Sequence, residues 1–227
     1  MKTGLAFSGG KDSWACLWLN KGRLDDIDVI WVNTGKNYPE LLESIEKAKA
    51  MCPRFHEVRT DRDGQNRAWG IPSDVVPINW TVLGQQLTAP KPVTIQSYLG
   101  CCYENISGPL HQKAKGLGLT EIIRGQRTEE GHKGTARDGT VFEGVTCRHP
   151  IEKWTQEEVL RFVSKNMELP RHFRFEHSSM DCYDCTAYRK ESGDRVAYMK
   201  AAHPAFYKEY SARTNALETA LQEATYG

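Results

Sequence analysis

The amino-acid sequence predicts an α/β protein with a mostly parallel sheet covered by helices on both faces, followed by a C-terminal helical extension. Short apolar runs alternate with longer helical segments in the first half of the chain, and this βαβα order is typical of parallel sheets. The first apolar run is followed directly by the polar stretch SGGKDS at 8–13. Such a stretch is a poor core segment and predicts a functional turn between strand and helix.

The first half of the chain supplies most of the predicted elements. Strands are predicted where short apolar runs end in polar residues, at 3–7, 28–32, 56–60 and 121–125. Helices are predicted at 12–21, 39–51 and 105–117. Between residues 61 and 100 the periodicity is weak and four prolines occur, so we predict a long irregular excursion there.

The second half is predicted to be richer in helix. The glycine-rich segment 131–144 predicts a hairpin turned at Asp138 and Gly139. Thr155 followed by Glu158 predicts a capping box at the start of a helix. From Arg195 onwards we predict two helices broken at His203–Pro204. The chain is therefore divided into a main domain over residues 1–190 and a helical extension over 191–227 packed on it.

Composition excludes several classes of protein. The net charge of +1 gives no global field for nucleic acid or membrane, and no stretch approaches the roughly 18 apolar residues of a spanning helix. The first residues, MKTGLAF, are too short for a signal peptide and are predicted as a strand. Seven cysteines, two of them adjacent, favour metal ligation or reactive thiols over a disulfide framework. We therefore expect a cytoplasmic protein in a reducing compartment, with no membrane partner.

The stretch SGGKDS predicts a phosphate-binding loop. Backbone N–H groups at Gly9 and Gly10 can approach an anion closely and converge on it with the N-terminus of the following helix. Lys11 adds a positive charge, while Ser8 and Ser13 add hydroxyl donors. A helix N-cap after a tight turn is the simpler alternative, since Gly, Asp and Ser all favour that place.

Four cysteines form a second constellation, consisting of the adjacent pair Cys101 and Cys102 and the CxxC pair Cys182 and Cys185. Neighbouring side chains reach two vertices of one tetrahedral zinc ion with difficulty, whereas a cubane offers a separate iron to each thiolate. The pattern therefore favours a [4Fe–4S] cluster. Zinc ligation and scattered structural thiols remain alternatives.

Several motifs resemble those of one enzyme family, and they follow that family's order along the chain. SGGKDS resembles the PP-loop of the adenine-nucleotide pyrophosphatase superfamily, and NTGKNYPE at 33–40 resembles a segment of its phosphoadenylylsulfate and adenylylsulfate reductase branch. CCYENISGPL, SMDCYDCT, IIRGQRTEE and HPIEKWTQEEVLRFV are similar to further motifs of that branch. The resemblance covers about residues 4–190.

The resemblance implies a fold, a site and cofactors. The fold would be the Rossmann-like fold of the adenine-nucleotide α-hydrolases, with the nucleotide-binding domain at 1–190. The cofactors would be a [4Fe–4S] cluster, ATP or an adenylylsulfate-type nucleotide, and Mg²⁺. Lys11, Asp12 and Arg127 would be catalytic. The residues implied in nucleotide binding are Ser8, Gly9, Gly10, Lys11, Asp12, Ser13, Asn33, Thr34, Gly35, Gly125 and Arg127. The implied cluster ligands are Cys101, Cys102, Cys182 and Cys185.

The chain departs from the family pattern in two places. Reductases of the family attack sulfur with a cysteine in a C-terminal E-C-G-(L/I)-H tail, and no cysteine follows Cys185 in this sequence. Cys147 is the alternative nucleophile outside the four-cysteine set. Ile106 stands where members with a cluster usually have lysine.

Three functional hypotheses follow. The first is an AMP-forming ATP pyrophosphatase coupled to iron–sulfur-dependent sulfur transfer. The second is a sulfonucleotide reductase that makes sulfite with Cys147 or a partner's thiol, and the third is a non-catalytic nucleotide-binding or redox-sensing module. The expected partners are an adenine nucleotide, a thioredoxin-like or sulfur-donor protein, and a nucleic-acid acceptor reached through a partner. The sequence leaves the oligomeric state open, a homo-oligomer included.

Overall fold

The structure is a computed structural model and describes residues 2–129, 137–174, 182–189 and 193–226. The chain forms two compact units. Unit 1 contains residues 1–33, 39–59 and 109–174, and unit 2 contains residues 34–38, 60–108 and 175–227. The domain boundary predicted at residue 190 stays a prediction.

The strands are, in chain order, β1 (Thr3–Ala6), β2 (Asp28–Asn33), β3 (Phe55–Arg59), β4 (Ile71–Ser73), β5 (Ile95–Ser97), β6 (Glu121–Ile123), β7 (Val141–Phe142) and β8 (Val145–Arg148). The α-helices are α1 (Lys11–Leu19), α2 (Pro39–Met51), α3 (Arg62–Trp69), α4 (Val82–Leu87), α5 (Tyr98–Cys102), α6 (Gly108–Gly116), α7 (Gln156–Ser164), α8 (Gly193–Ala202) and α9 (Pro204–Tyr226). Short 3₁₀ turns lie at Lys21–Arg23, Ile78–Trp80 and Arg171–Arg174, and a π-helical turn at Tyr103–Ser107 joins α5 to α6.

Unit 1 is built on a six-stranded sheet with the order β3–β2–β1–β6–β8–β7. All neighbouring strands run parallel except β7, which pairs antiparallel with β8 at the edge. Strand β1 is therefore central, with β2 on one side and β6 on the other. The segments that follow β1 and β6 leave the sheet at the same side, at the carboxyl ends of the strands, because the two strands are parallel.

Helices cover both faces of this sheet, as the sequence predicts. Successive strand residues point to opposite faces, so Leu5, Val29 and Trp31 pack with apolar residues of α1, α2 and α7. Ile30 and Ile122 point the other way and pack with Leu110 and Ala114 of α6. The apolar runs carry side chains for two cores, which explains why they lack polar alternation.

Unit 2 has a small core of its own. Strands β4 and β5 form a two-stranded parallel sheet. Trp80 and Ile95 pack there with Leu217 and Ala220 of α9. Helix α9 is therefore an integral part of this unit's core.

The predicted fold class is confirmed, together with strands β1, β2, β3 and β6 and the capping box of Thr155 and Glu158. The break at His203–Pro204 is confirmed as the junction of α8 and α9. The predicted irregular excursion is wrong, because residues 61–100 contain α3, β4, α4 and β5 and the start of α5. These elements are three to eight residues long, and so short a segment cannot display periodicity.

The predicted hairpin exists, but its turn lies elsewhere. Strands β7 and β8 are joined at Glu143 and Gly144, which have φ values of 48° and 81°. Positive φ at both central residues is what a tight two-residue hairpin turn requires. Residues 131–136 of the predicted segment lie outside the described residues.

Candidate functional site

The loop after the central strand β1 leads straight into helix α1. Gly9 has φ +83°, a left-handed conformation that favours glycine. The first helical residue is Lys11, and in the described part of the chain no side chain caps the helix at Gly10. The hydroxyl of Ser13 donates to the Gly10 carbonyl at 2.8 Å. A helix N-terminus without a side-chain cap presents its N–H groups to an anion.

Two cations converge on one carboxylate at this helix N-terminus. Arg127 Nε lies 2.6 Å from Asp12 Oδ1, and Lys11 Nζ lies 3.0 Å from Asp12 Oδ2. Arg127 also pairs with Glu129 at 2.5 Å. The side chains of Lys11 and Arg127 are buried, while that of Glu129 is 52% exposed. The structure thus brings together three residues that the sequence analysis predicts as catalytic.

Gly125 follows β6 and packs tightly against the same helix. A Cβ atom at this position would lie 2.7 Å from the carbonyl carbon of Asp12 and 2.8 Å from its oxygen. Real Cβ contacts are not that short, so only glycine allows the segment after β6 to approach α1 this closely. Gly125 therefore fixes the position of Arg127, two residues further on.

The predicted nucleotide-lining segment 33–35 is divided between the two units. In unit 1, the Asn33 side-chain amide donates to Glu57 at 2.8 Å, and hydrogen bonds from Asn33 and Arg59 hold the pKa of Glu57 below its ordinary value. In unit 2, Thr34 Oγ1 lies 3.3 Å from Cys182 Sγ. The predicted roles of Asn33, Thr34 and Gly35 in nucleotide binding stay predictions.

All four predicted cluster cysteines belong to unit 2. Cys101 is buried in α5, and Asn105 Nδ2 donates to its sulfur at 3.8 Å. Cys182 and Cys185 close a turn in which the Cys185 N–H donates to the Cys182 carbonyl at 3.0 Å. Arg195 donates to both carbonyls, at 3.1 Å to Cys182 and 2.9 Å to Cys185. These hydrogen bonds hold the Cys182–Cys185 turn through its backbone carbonyls.

A buried carboxylate anchors the middle of this turn. Asp184 is fully buried and pairs with Arg62, which is 2% exposed, and with Arg213 at 2.9 Å. Burial alone would lower the pKa of Arg62, but its interactions with Cys182, Asp184 and Cys101 raise it above its ordinary value. Burial raises the pKa of the Cys101 thiol, and Arg62 and Arg213 oppose that rise. Arg62 thus interacts with one cysteine of each pair.

The remaining residue of the turn, Tyr183, is held by α9 and by the segment after β2. Its ring stacks on Phe206 with centroids 4.0 Å apart, and its hydroxyl donates to Glu209 at 3.1 Å. Lys36 pairs with Glu209 at 2.9 Å, and its carbonyl accepts the Tyr183 N–H at 3.0 Å. Both inner residues of the CxxC motif are therefore structural anchors.

The donor chemistry of unit 2 fits an iron–sulfur cluster. Four thiols lie in one unit. Asn66 Nδ2 and Arg213 Nε are buried N–H groups with no acceptor among the residues that the structure describes. N–H groups of this kind stabilise sulfur-rich anionic groups. Within the same described residues, no three His, Cys, Asp or Glu side chains lie close enough to hold a metal ion. The gathering of the four thiols around a metal stays a prediction.

The other three cysteines lie in the core of unit 1. Cys16, Cys52 and Cys147 are each at most 2% exposed. Burial raises the pKa of Cys16 to about 12 and that of Cys52 to about 11. Cys147 lies on β8 among the apolar side chains that pack on α6. Buried thiols in apolar surroundings are inert, so Cys147 is poorly placed as the nucleophile that the sequence analysis considers.

Sequence reasoning missed the residues that support the Cys182–Cys185 turn. Arg62 and its partner Asp184 are 122 positions apart, and Arg213 lies in a helix whose pattern resembles an ordinary solvated helix. The N-cap residues of the short helices were the sequence signal that could have located these helices. Asp61 accepts from the Gly64 N–H at 2.8 Å and starts α3, which carries Arg62.

A parallel sheet whose central strand leads through a glycine-rich loop into a helix defines a Rossmann-like α/β protein of the nucleotide-binding kind. The phosphoadenosine phosphosulfate reductase domain family matches residues 2–188, and the chain belongs to this family. This membership places it among nucleotide-binding proteins of sulfur metabolism. In the described residues, no helix is both long enough and apolar enough to cross a membrane.

A solved reductase structure shows the same fold, and a second solved structure is similar at a lower score. Phosphoadenylyl-sulfate (PAPS) reductase from Candida auris, solved as a phosphate complex, is 15% identical, with a TM-score of 0.54 over 80% of this chain and 81% of that one. NH3-dependent NAD synthetase from Campylobacter jejuni, in complex with the nitrate ion, is 12% identical, with a TM-score of 0.46 over 94% and 83% of the two chains. No curated protein matches the sequence.

Proposed function

We propose that this protein is an AMP-forming ATP pyrophosphatase that activates an acceptor for sulfur transfer. The nucleotide would bind to unit 1 through the loop Ser8–Ser13, and the thiols of Cys101, Cys102, Cys182 and Cys185 would hold a [4Fe–4S] cluster in unit 2. The proposal adds a reaction and its residues to the nucleotide binding and sulfur metabolism that family membership gives.

One observation carries the nucleotide part of the proposal. Lys11 and Arg127 are buried cations that meet at the uncapped N-terminus of α1, beyond the end of the central strand β1. Helix N–H groups, an ammonium and a guanidinium together form a donor set that suits phosphate oxygens. In the structure Asp12 pairs with both cations and Glu129 pairs with Arg127. A phosphate group can displace Glu129 from Arg127, because the Glu129 side chain is half exposed and such pairs are weak.

The residues of the loop have distinct roles in this proposal. Lys11 and Arg127 would neutralise the charge that develops on the α-phosphate and on the leaving pyrophosphate. An acceptor oxygen attacks the α-phosphorus, the bond to the bridging oxygen breaks, and pyrophosphate leaves with the bond electrons. A sulfur nucleophile from a donor protein then replaces the acceptor oxygen, which departs with AMP. The exchange of oxygen for sulfide-level sulfur needs no oxidant or reductant.

Metal cofactors would complete the site. Asp12 would be available to hold Mg²⁺ once phosphate takes over Lys11 and Arg127, since carboxylate and phosphate oxygens are the ligands that Mg²⁺ prefers. The iron–sulfur cluster would hold or deliver sulfur. The acceptor would be a nucleic acid reached through a partner protein, because the net charge of +1 gives the chain little attraction of its own for a polyanion.

Reduction of a sulfonucleotide is the second candidate, and the family name favours it. That reaction needs a thiolate at the sulfate sulfur, while the cysteines of unit 1 are buried among apolar side chains. A thiol from a thioredoxin-like partner would have to supply the attack. The burial of Cys16, Cys52 and Cys147 is therefore the reason to place ATP ahead of a sulfate ester.

Anaerobic incubation with three nucleotides tests the proposal. The protein is given ATP, adenylylsulfate or phosphoadenylylsulfate, each with thioredoxin and Mg²⁺, and pyrophosphate and sulfite are measured. We expect pyrophosphate and AMP from ATP, with water attacking the α-phosphorus in place of the acceptor, and no sulfite from either ester. Sulfite production that persists in Cys147→Ser would overturn the proposal and assign the attack to a partner thiol.

A pair of lysine variants separates the site from nonspecific effects. Lys11→Ala should abolish pyrophosphate release, because it removes a buried cation from the α1 N-terminus. Lys49→Ala is the matched control, since Lys49 is exposed on α2 and pairs only within that helix. Equal activity of the two variants would show that the loop is not the catalytic site.

A further inference from the structure

The ion pairs behind the Cys182–Cys185 turn carry unequal charge. Asp184 is a single carboxylate, and both Arg62 and Arg213 bind it. No other carboxylate pairs with either arginine within the described residues. One positive charge in this group is therefore not balanced by a carboxylate, although Arg62 and Asp184 are almost fully shielded from water. The Arg213 side chain is 18% exposed, so water solvates part of the surplus, whereas Arg62 is only 2% exposed and an anion beside it would offset the cost of burying its charge.

The cysteine site is the group beside these arginines that could balance their positive charge. Arg62 binds Asp184 and makes a side-chain hydrogen bond with Cys101, and Arg213 binds the other carboxylate oxygen of Asp184, which lies within the CxxC motif. The buried Arg213 Nε has no acceptor in the described residues, so it remains available to a sulfur ligand. Arg62 therefore faces one cysteine of each motif, whereas its carboxylate partner lies inside the CxxC turn.

We infer that Arg62 and Arg213 form a counter-charge for the anionic cysteine site and raise the reduction potential of the cluster proposed there. This inference rests on the proposed cluster. A fixed positive charge in a water-poor site favours the more negative, reduced state of a neighbouring cluster. Asp184 positions the two guanidinium groups and attenuates their charge. Arg62 and Arg213 would thus act on the reduction potential of the cluster through their charge.

The test measures the one-electron midpoint potential of the full chain, reconstituted anaerobically with iron and sulfide. Iron and acid-labile sulfide are counted first. At the wild-type midpoint potential, Arg62→Gln should lower the ratio of reduced to oxidised cluster at least tenfold, which for one electron corresponds to about 59 mV. Arg62→Lys keeps the charge and should recover most of that loss. A purely structural role would predict a change in stability with an unmoved potential.

Matched variants keep the outcome interpretable. Arg189→Gln is the control, because Arg189 is a partly exposed arginine of unit 2 that pairs with Glu218, and its potential should equal that of the wild type. If Arg62→Gln does not fold, Arg213→Gln carries the test, since its side chain is more exposed and the pair of Arg62 with Asp184 remains. Its potential should also fall.

The two ways of failing can be told apart. A fully loaded Arg62→Gln or Arg213→Gln protein with the wild-type potential overturns the counter-charge and leaves the cluster in place. A wild-type protein that takes up no iron overturns the cluster and the counter-charge together. Pyrophosphate release from ATP, measured on the same preparations, reports separately on the nucleotide loop.

Discussion

The two candidate sites use the same chemical groups in opposite ways. At the nucleotide loop of unit 1, Lys11 and Arg127 are matched by two carboxylates, of which Glu129 is half exposed. At the Cys182–Cys185 turn of unit 2, two arginines share Asp184, which is completely buried. Exposed ion pairs are weak and exchangeable, whereas buried ones are locked by the cost of separating them. The comparison teaches that the pair of Arg127 with the half-exposed Glu129 is suited to ligand exchange, whereas the pairs of Asp184 are suited to permanent support.

The largest effect on stability is expected at the buried ion pairs of Asp184. Asp184→Asn should lower the free energy of unfolding by about 3–5 kcal/mol, because it leaves two guanidinium groups in the protein without their carboxylate. Urea denaturation of the two proteins measures the difference. Glu218→Gln, which breaks a partly exposed pair with Arg189, should change it by less than about 1 kcal/mol. Equal losses in the two variants would contradict the distinction.

The nucleotide loop should show the reverse behaviour. Lys11→Ala should weaken ATP binding roughly 10–100-fold, the value of one or two charge-assisted hydrogen bonds. Calorimetric titration with ATP measures this affinity, and Lys49→Ala serves again as the exposed control. The comparison would break if Asp184→Asn, in a folded preparation, weakened ATP binding as much as Lys11→Ala does.

A substitution that disturbs the close approach of Gly125 to α1 should have a smaller effect on stability. Gly125→Ala places a Cβ against the main chain of Asp12, and relieving such overpacking costs about 1–3 kcal/mol. Both thermal unfolding and ATP affinity should suffer, since Arg127 follows two residues later. Gly116→Ala is the matched control, because a Cβ there would meet nothing within 4 Å. A Gly125→Ala protein with unchanged ATP affinity would show that the close approach does not position Arg127.

The smallest effect on stability near neutral pH is expected from the buried histidines of unit 1, which make the protein sensitive to acid. Burial lowers the pKa of His172 to about 4, and it also lowers those of His111 and His149. The unfolded chain, with an ordinary histidine pKa near 6.5, binds more protons between those values. Stability is therefore complete above about pH 6.5 and decreases as the pH falls toward 4.

Replacing the buried histidine tests this pH dependence. His172→Gln should flatten the plot of unfolding free energy against pH between about 6.5 and 4, relative to the wild type. Urea denaturation at a series of pH values provides the plot. A variant with the full wild-type slope would show that His172 is not the group that resists protonation in the folded state.

The strands of the unit 1 sheet could be predicted from the sequence, whereas those of unit 2 could not, and the reason is physical. Strands β1, β2 and β6 are buried on both faces, so they appear as continuous apolar runs. Strands β4 and β5 are three residues long and depend on α9, more than a hundred positions later, for their core. Local pattern cannot reveal an element that distant packing stabilises.

The candidate sites show the same division. The loop Ser8–Ser13 is contiguous, so its chemistry can be recognised from six residues. Asp12 and Arg127 are far apart in sequence, but each follows a parallel strand, and the shared edge of the sheet explains their meeting. Nothing comparable links Arg62 to Asp184 or Thr34 to Cys182. In each contact the partner lies in the irregular segment that carries the CxxC motif, whose position no periodicity encodes.

The position of α9 along the chain has a consequence for biosynthesis. Glu209 and Arg213 support Tyr183 and Asp184 from a helix that the ribosome makes later than the turn itself. A nascent polypeptide therefore displays the CxxC thiols before their supporting helix exists. The proposed cluster would accordingly be loaded after α9 has been made and has docked against the turn.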